Sequence, residues 1–380
     1  MRILREYGKT VISLMITGFE PKAIPGSTKY GTAGGCTTTF LRALELPSEI
    51  TESLAKWGNL GVTKSTWSSY KTAQTMLDLC RRETGVCMDL PLTNAKTLAF
   101  IDWLARVRKL RAATIKTYLS GIRQLHIVQG LEAPELRTGL VKLVLKGIDN
   151  RDGIATRAGK FKGRLPMTRN TMLLFKKLTQ SSKYAEQDKL LIWAVATLAF
   201  AGAFRIHEIL SKAESTFDPN FTLLGEDLTV SSKNRQETLH VRLKCPKESR
   251  SAAATVVDVF ENKSELCPVR AFRKWFSCKF REPQLPLFRF HNGTPLTGAK
   301  LNRIMKTLLD PYTDSSVGFF ATHSFRIGIA SMLGQLGFED QDIMATGRWS
   351  SRVFERYMKL TRTKRNIAQD KILSRRPHRV

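Results

Sequence analysis

Forty residues near the carboxyl end, 321–360, contain four side chains whose types and spacing could do chemistry: a histidine, an arginine, a tryptophan and a tyrosine. His323 and Arg326 are three residues apart and share one face of a predicted helix. Trp349 follows a Gly-Arg pair, and Tyr357 lies eight residues further along. A guanidinium fork matches phosphate oxygens, and a phenol becomes a nucleophile once a neighbouring group takes its proton. The set therefore suits phosphoryl transfer.

Helical periodicity predicts the elements that position these groups. Apolar residues recur at the 3.6-residue period from Phe325 to Leu336, and Gly337 ends that run. Ser350 or Ser351 is a candidate cap for a last helix. One face of this helix carries Val353, Phe354, Tyr357 and Leu360.

A further arginine follows the most apolar stretch of the chain, Leu190 to Phe204. The stretch is shorter than the ~20 residues that a membrane span needs, so it is expected to be a buried helix, and no membrane partner is expected. Arg205 comes directly after it, and Glu208 three residues later. An arginine in this position needs a partner or an anion, so Glu208 is expected to orient the guanidinium.

Alternation of apolar and polar residues predicts a small antiparallel sheet. Residues 239–245 alternate most clearly, 255–260 form a return strand after a turn-rich segment, and 228–231 form a third strand. Lys244 and Lys247 lie between the two longer strands. Lys247 is nearer the turn, and Pro246 would end the ladder before it.

In chain order, Arg205, a lysine on the hairpin, the HSFR motif at 323–326, Trp349 and Tyr357 resemble the tyrosine recombinase (phage integrase) family. HSFRIG followed by GRWSS is most similar to the eukaryotic members carried by Crypton and DIRS-type mobile elements. Trp349 and Tyr357 are eight positions apart, whereas the corresponding spacing in bacterial members is usually nine. The resemblance implies six catalytic residues and one supporting residue. The catalytic residues are Arg205, Lys247, His323, Arg326, Trp349 and Tyr357, and the supporting residue is Glu208.

The same resemblance implies a reaction. Tyr357 would attack DNA to form a 3′-phosphotyrosyl link, with Lys247 as the acid for the leaving 5′-oxygen and no metal or other cofactor. Lys244 remains the alternative lysine, and otherwise contacts backbone phosphate. Double-stranded DNA and further copies of the chain are the implied partners, with a dimer on each site and a tetramer on two duplexes. Two rivals stay open: a type IB topoisomerase and a domesticated DNA-binding protein without catalysis.

Composition agrees with a nucleic-acid partner. The chain has 61 Lys and Arg against 33 Asp and Glu, a formal charge of +28, which favours a polyanionic partner. Its 42% hydrophobic content over 380 residues is enough for two packed domains. The six cysteines show no spacing typical of a zinc site. They are expected to be reduced thiols in an intracellular, nuclear protein.

The predicted fold class is mainly α with a small antiparallel β-sheet, arranged as a helical core-binding domain and a tyrosine-recombinase catalytic domain. The predicted boundaries run in five segments. These are a flexible arm at 1–40, the core-binding domain at 41–147, a basic linker at 148–165, the catalytic domain at 166–362 and a basic tail at 363–380.

Mixed hydroxyl and cationic side chains predict the DNA-contacting surface, because phosphates are bound by such groups. The candidates lie at the start of the second predicted helix, in and after the third, on the linker and on the hairpin. They are Ser65, Thr66, Lys71, Arg108, Lys109, Arg111, Lys116, Arg123, Lys162, Arg164 and Lys244.

Overall fold

A computed structural model of the chain divides into two compact units, 1–160 and 161–380. The division falls inside the segment predicted as the linker. The described residues are 47–61, 64–129, 131–136, 139–157, 163–215, 217–244, 255–277, 282–314, 316 and 318–357. The predicted arm and tail lie outside them.

The described part of the first unit is built from helices. They are α1 (Ser48–Leu60), α2 (Lys64–Thr84), α3 (Asn94–Asp102), α4 (Ala112–Val128) and α5 (Gly139–Arg157), with a π-helical turn at Trp103–Val107 after α3. Thr93 caps α3, its hydroxyl accepting a hydrogen bond from the amide of Lys96. Buried residues of α2, α3, α4 and α5 form one core, which includes Phe100, Ile115 and Leu119.

Helix α5 corrects two expectations. It continues to Arg157, so the first ten residues of the predicted linker are helical. The cause is tertiary: Asp152 Oδ2 accepts the amide hydrogen bond of Ala112 at 2.7 Å, and Arg151 donates to the carbonyls of Ala105 and Leu110. These contacts outweigh the glycine content that predicted a break.

The spacing of Leu136, Leu140 and Leu143 predicts that these leucines form the buried face of this helix, and that prediction is also wrong. Leu140 and Leu143 are 58% and 64% exposed, whereas Val141 and Leu145 are buried. Five leucines and valines among residues 140–145 are compatible with more than one helical face, and the packing partners on α4 decide which face is buried.

The second unit is organised around one helix that is buried on all sides. Its helices are α6 (Arg169–Gln180), α7 (Glu186–Ala201), α8 (Ile206–Ile209), α9 (Pro268–Phe276), α10 (Gly298–Leu309), α11 (His323–Leu336) and α12 (Asp340–Gly347). Helix α7 packs against α6, α9 and α11, and its residues from Leu191 to Phe200 are buried except Trp193. The predicted buried helix is therefore confirmed, although it ends at Ala201 and not at Phe204. Of the helices in the described ranges, none combines the length and apolarity that a membrane crossing requires.

Strands β2 (Leu228–Lys233), β3 (Gln236–Leu243) and β4 (Thr255–Phe260) form an antiparallel sheet in the order β2-β3-β4. Leu239 pairs with Val230 on one side and with Val259 on the other. The predicted fold class, mainly helical with a small antiparallel sheet, is confirmed.

A short parallel pair, β1 (Gly163–Arg164) with β5 (Gly318–Phe319), was not predicted. The chain after β1 continues along α11, because the amide of Met167 donates to the carbonyl of Ser324. A Cβ at Gly328 would lie 2.0 Å from the carbonyl oxygen of Met167, so only glycine permits this approach. The pairing brings residue 164 beside the start of α11.

The segment that follows α12 is a 3₁₀ helix, Arg352–Tyr357, and not the α-helix that was predicted. Phe354 is buried in a small core with Ala330, Ile343 and Trp349, which fixes the segment against α11 and α12. Leu360 lies outside the described residues.

Candidate active site

The end of α7 is the point around which the candidate residues converge. The helix finishes at Ala201, and Ala203 takes a left-handed backbone with φ +47°. Arg205 follows as the first residue of the turn into α8. Its amide donates to Glu208 Oε2 at 2.9 Å and its Nη1 to Glu208 Oε1 at 3.0 Å. The predicted ion pair is present, and it restrains the partly buried guanidinium.

Arg326 reaches the same turn from α11. Its side chain is buried, with 1% exposed, and its Nη1 donates to the carbonyl of Ala203 at 2.5 Å. The guanidinium carbon lies 4.5 Å from the centroid of the Trp349 ring. A buried cation in this position is stabilised by a helix-end carbonyl and by an aromatic face.

Trp349 is held under this guanidinium by local packing. Its amide donates to the carbonyl of Met344, and its ring contacts Phe354. A Cβ at Gly347 would lie 1.9 Å from the Trp349 ring, so glycine is required for the ring to fold back. The structure thus brings together Arg205, Arg326 and Trp349, as predicted from their order in the chain.

His323 lies at the first turn of α11, half-buried beside the arginines. Burial, and to a smaller extent the charges of Arg164, Arg326 and Arg205, together lower its pKa to about 4. The imidazole is therefore neutral at pH 7 and able to accept a proton. Arg164, predicted as a linker residue on DNA, lies close enough to this histidine for its charge to lower the pKa of the imidazole.

Arg348 is a residue of this site that the sequence analysis did not select. Its Nη1 donates to the carbonyl of Gly202 at 2.8 Å, its Nη2 lies 3.1 Å from Glu208 Oε2, and its guanidinium carbon is 4.8 Å from the Phe204 ring. Its backbone is left-handed, with φ +52°. One signal in the sequence could have identified Arg348. It is a non-glycine residue in the predicted turn that leads directly to Trp349.

For the predicted nucleophile, Tyr357, the structure describes the backbone only. Tyr357 is the last residue of the 3₁₀ helix that follows Trp349, and its side chain lies outside the described atoms. The predicted catalytic lysine, Lys247, lies in the hairpin loop between β3 and β4, which is also outside the described residues.

Lys244, the alternative lysine, is engaged at the end of β3. Its Nζ lies 2.7 Å from Asp227 Oδ2 and donates to the carbonyl of Pro219 at 2.9 Å. Asp227 is buried and also contacts Arg242 at 2.7 Å. With 17% of its side chain exposed, Lys244 serves an internal ion cluster at the base of the hairpin.

Known structures give the fold its context. The Tn1549 transposon integrase in complex with a circular intermediate DNA aligns with a TM-score of 0.53 and 13% identity over 88% of this chain and 99% of that chain. The XerH site-specific recombinase bound to a palindromic difH substrate aligns with 0.54 and 13% over 97% and 94%. A lambda integrase dimer bound to a core site aligns with 0.50 and 15% over 98% and 88%.

The chain has the fold of the tyrosine recombinases. No protein-family profile matches the sequence, and no curated protein matches it significantly. At 13–15% identity, the tyrosine-recombinase fold is what these alignments show.

The candidate DNA contacts of the first unit lie on α2, on the turn after α3 and on α4. Lys71, Lys109, Arg111 and Arg123 are exposed, whereas Thr66 is partly buried. Arg108 lies over the Trp103 ring and 3.6 Å from Glu83, so it is partly neutralised. Ser65, by its side chain, and Lys162 lie outside the described atoms.

Lys116 and Arg123 lie on the side of α4 that faces α5. Both line an open groove with Lys142 and Lys146, and Lys116 forms an ion pair with Asp149. The sequence analysis did not select the two α5 lysines. Among the described residues, no group of three or more His, Cys, Asp and Glu side chains forms a potential metal site.

Proposed function

We propose that this chain is a site-specific DNA recombinase that cuts and rejoins strands through a 3′-phosphotyrosyl intermediate. The observation that supports it most is the convergence of Arg205, His323 and Arg326 at the end of α7, in a chain with the tyrosine-recombinase fold. The guanidinium groups of Arg164, Arg205 and Arg326 around a neutral histidine form a preorganised site for a charged phosphorus centre.

The cleavage step follows from these roles. The Tyr357 oxygen attacks the phosphorus, the bond from phosphorus to the 5′-oxygen breaks, and the DNA stays attached through its 3′-phosphate. The phenolic proton passes to neutral His323. Arg205, Arg326 and the Trp349 indole stabilise the charge that develops on the non-bridging oxygens.

The leaving oxygen requires a proton of its own. Lys247 is proposed as its source, because an alkoxide is a poor leaving group and the family that the chain resembles places a catalytic lysine on this hairpin. The reverse transfer returns that proton and re-forms the phosphodiester, so the phosphotyrosine conserves the bond without a metal or nucleotide.

The substrate is proposed to be double-stranded DNA, bound by a dimer at each site and by a tetramer on two duplexes. The form of HSFRIG and GRWSS supports a role in mobilising a transposable element in a nucleus. The formal charge of +28 is what a protein that covers a duplex would need.

Trapping of covalent protein–DNA adducts tests the proposal. Cells or extracts containing the wild-type chain, Tyr357→Phe or Tyr312→Phe are denatured rapidly, and DNA attached to protein is recovered and sequenced. Tyr312, which is exposed, is the matched control. We expect adducts at a preferred sequence from wild type and Tyr312→Phe, none from Tyr357→Phe, and similar DNA affinity for all three.

Other outcomes identify the rivals. Adducts without a preferred sequence, together with relaxation of supercoils and no strand exchange, would indicate a topoisomerase. Tight DNA binding without any adduct would indicate a binding protein that has lost catalysis.

A further inference from the structure

The backbone at Arg348 is unusual for its residue type. Arg348 follows α12 in the left-handed region, with φ +52°, where glycine is the usual residue because it has no Cβ. An arginine in this conformation is disfavoured. Its side-chain contacts must therefore offset the strain, and they show what the residue does.

Those contacts all lie on the turn that carries Arg205. The guanidinium donates to the carbonyls of Gly202, at 2.8 Å, and Ala203, at 3.5 Å. These carbonyls belong to the turn that directly follows α7, which ends at Ala201. The ring of Phe204 supports the other face of the guanidinium at 4.8 Å.

The carboxylate of Glu208 is shared between two arginines. Its Oε1 binds Arg205 Nη1, and its Oε2 accepts from the Arg205 amide and from Arg348 Nη2. If Arg205 were its one cationic partner, the Glu208 carboxylate would cancel the charge of Arg205. Because Arg348 is a second partner, the three side chains together keep a net positive charge, and the carboxylate is bound from both sides.

The residue next to Arg348 completes the arrangement. Trp349 lies under Arg326, and Arg326 donates to Ala203, one of the carbonyls that Arg348 binds. Arg326, on α11, and Arg348, in the turn after α12, therefore bind the same carbonyl next to the end of α7.

We infer that Arg348 is a positioning residue for strand cleavage: through Glu208 and the Gly202–Ala203 carbonyls it aligns Arg205 and Trp349 toward one phosphate. This rests on the proposed function. Arg348 acts through its neighbours and leaves the contact with the phosphate to Arg205 and Arg326.

Two substitutions separate alignment from folding. Arg348→Gly removes the guanidinium but relieves the left-handed backbone, and Arg348→Lys keeps one charge without the fork that serves a carboxylate and two carbonyls. Arg273→Lys is the matched control, because Arg273 also pairs with a glutamate, Glu237 at 3.2 Å, on α9 and β3. Thermal melting establishes that each variant is folded at the assay temperature.

Single-turnover adduct formation is measured on saturating nicked DNA taken from the recovered sequences. We expect Arg348→Gly to slow it on the order of 100-fold, because small misplacements of catalytic groups have effects of that size. Arg348→Lys should be slowed less, Arg273→Lys should match wild type, and DNA affinity should stay near wild type throughout.

A double-substitution cycle, which compares rates of adduct formation in single and double variants, distinguishes a positioning role from a purely structural one. If Arg348 acts through Glu208, adding Arg348→Gly to Glu208→Gln should slow the reaction little beyond Glu208→Gln alone. Multiplying effects, or a wild-type rate in Arg348→Gly, would overturn the positioning role while the proposed function stands. Absence of adduct from the wild-type chain would overturn both.

Discussion

At the scale of single residues, burial and charge together set the protonation state of His323. Burial lowers the pKa of this histidine most, and the charges of Arg164, Arg326 and Arg205 add to the effect, so that the pKa is about 4. A histidine with its ordinary pKa would be partly protonated near neutral pH. Here the imidazole stays neutral, as its proposed role of proton acceptor requires.

The pH dependence of cleavage tests that assignment. The neutral imidazole is the active form, so the rate at subsaturating DNA should hold from pH 7 down to about 5 and fall with a midpoint near 4, the pKa of His323 in the free protein. Arg164→Ala removes one of the lowering charges, and its midpoint should lie higher. Arg270→Ala, on α9, is the control and should leave the midpoint in place.

Acid unfolding would affect Arg164→Ala and Arg270→Ala alike at a given pH. A difference between their pH midpoints therefore reports the titration of His323. An unchanged midpoint in Arg164→Ala would remove Arg164 from the site. A midpoint near 6.5 in the wild type would show that the imidazole is not held neutral.

The two lysines of the hairpin are separated by a substrate with sulfur in place of the bridging 5′-oxygen. A thiolate leaves without being protonated, whereas loss of a general acid slows alkoxide departure by ~10²–10⁴. Lys247→Ala should therefore be slow on ordinary DNA and recover on the sulfur substrate. Lys244→Ala leaves Asp227 with Arg242 alone, so it should lower stability without being rescued by sulfur. Rescue of Lys244→Ala, and not of Lys247→Ala, would reverse the assignment.

At the scale of elements, helix ends and turns position the candidate site residues. The carbonyls of Gly202 and Ala203, in the turn directly after α7, accept hydrogen bonds from two arginines of later elements. In the first unit, a side chain of one helix likewise binds the end of another, here at an amino end. The carboxylate of Asp152 on α5 accepts a hydrogen bond from the first amide of α4. Asp152 and Arg151 thereby fix the turn that carries Arg108, Lys109 and Arg111.

Substitution of Asp152 tests whether this turn depends on α5. Asp152→Ala leaves the Ala112 amide without its acceptor, and we expect a loss of roughly 1–3 kcal/mol in local stability. Asp149→Ala, one turn earlier, removes only the exposed ion pair with Lys116 and should cost at most about 1 kcal/mol. Hydrogen exchange of residues 105–112 measures both. Equal exchange in the two variants would mean that the turn is held by other contacts.

At the scale of the whole molecule, the excess of cations should dominate DNA affinity. Counterion release makes log K fall linearly with log salt, by about 0.9 for each phosphate contacted. The exposed arginines of the turn after α3 belong to the surface proposed to make such contacts.

The salt dependence of binding tests that surface. Replacing Arg108 and Arg111 together with alanine should reduce the slope by roughly 1.8, two contacts at about 0.9 each. Lys96→Ala is a control within the same unit, because the Lys96 ammonium already donates to the carbonyl of Asp89. A slope that is equal in the double variant and in wild type would place the DNA surface elsewhere.

The sequence predicted those features that depend on local spacing. His323 and Arg326 share the first turns of one helix, Arg205 and Glu208 form the expected pair, and the three strands are found where alternation indicated them. Each of these follows from residues within a few positions of one another.

Features that depend on distant residues were missed. The extension of α5 to Arg157 is stabilised by Ala105, Leu110 and Ala112, about forty residues earlier. The place of Arg164 beside His323 follows from the pairing of β1 with β5, and the role of Arg348 follows from contacts with the end of α7. No periodicity within a helix or strand carries that information.

Identification of the DNA-linked residue is the most direct test of the central claim. The trapped adduct is digested with trypsin and nuclease, and the nucleotide-bearing peptide is sequenced by mass spectrometry. We expect the peptide Tyr357-Met358-Lys359, with the phosphate on Tyr357 attached to the 3′ end of the DNA and a free 5′-hydroxyl on the other fragment. Attachment to Tyr312 or to any other residue, or through a 5′-phosphate, would contradict it.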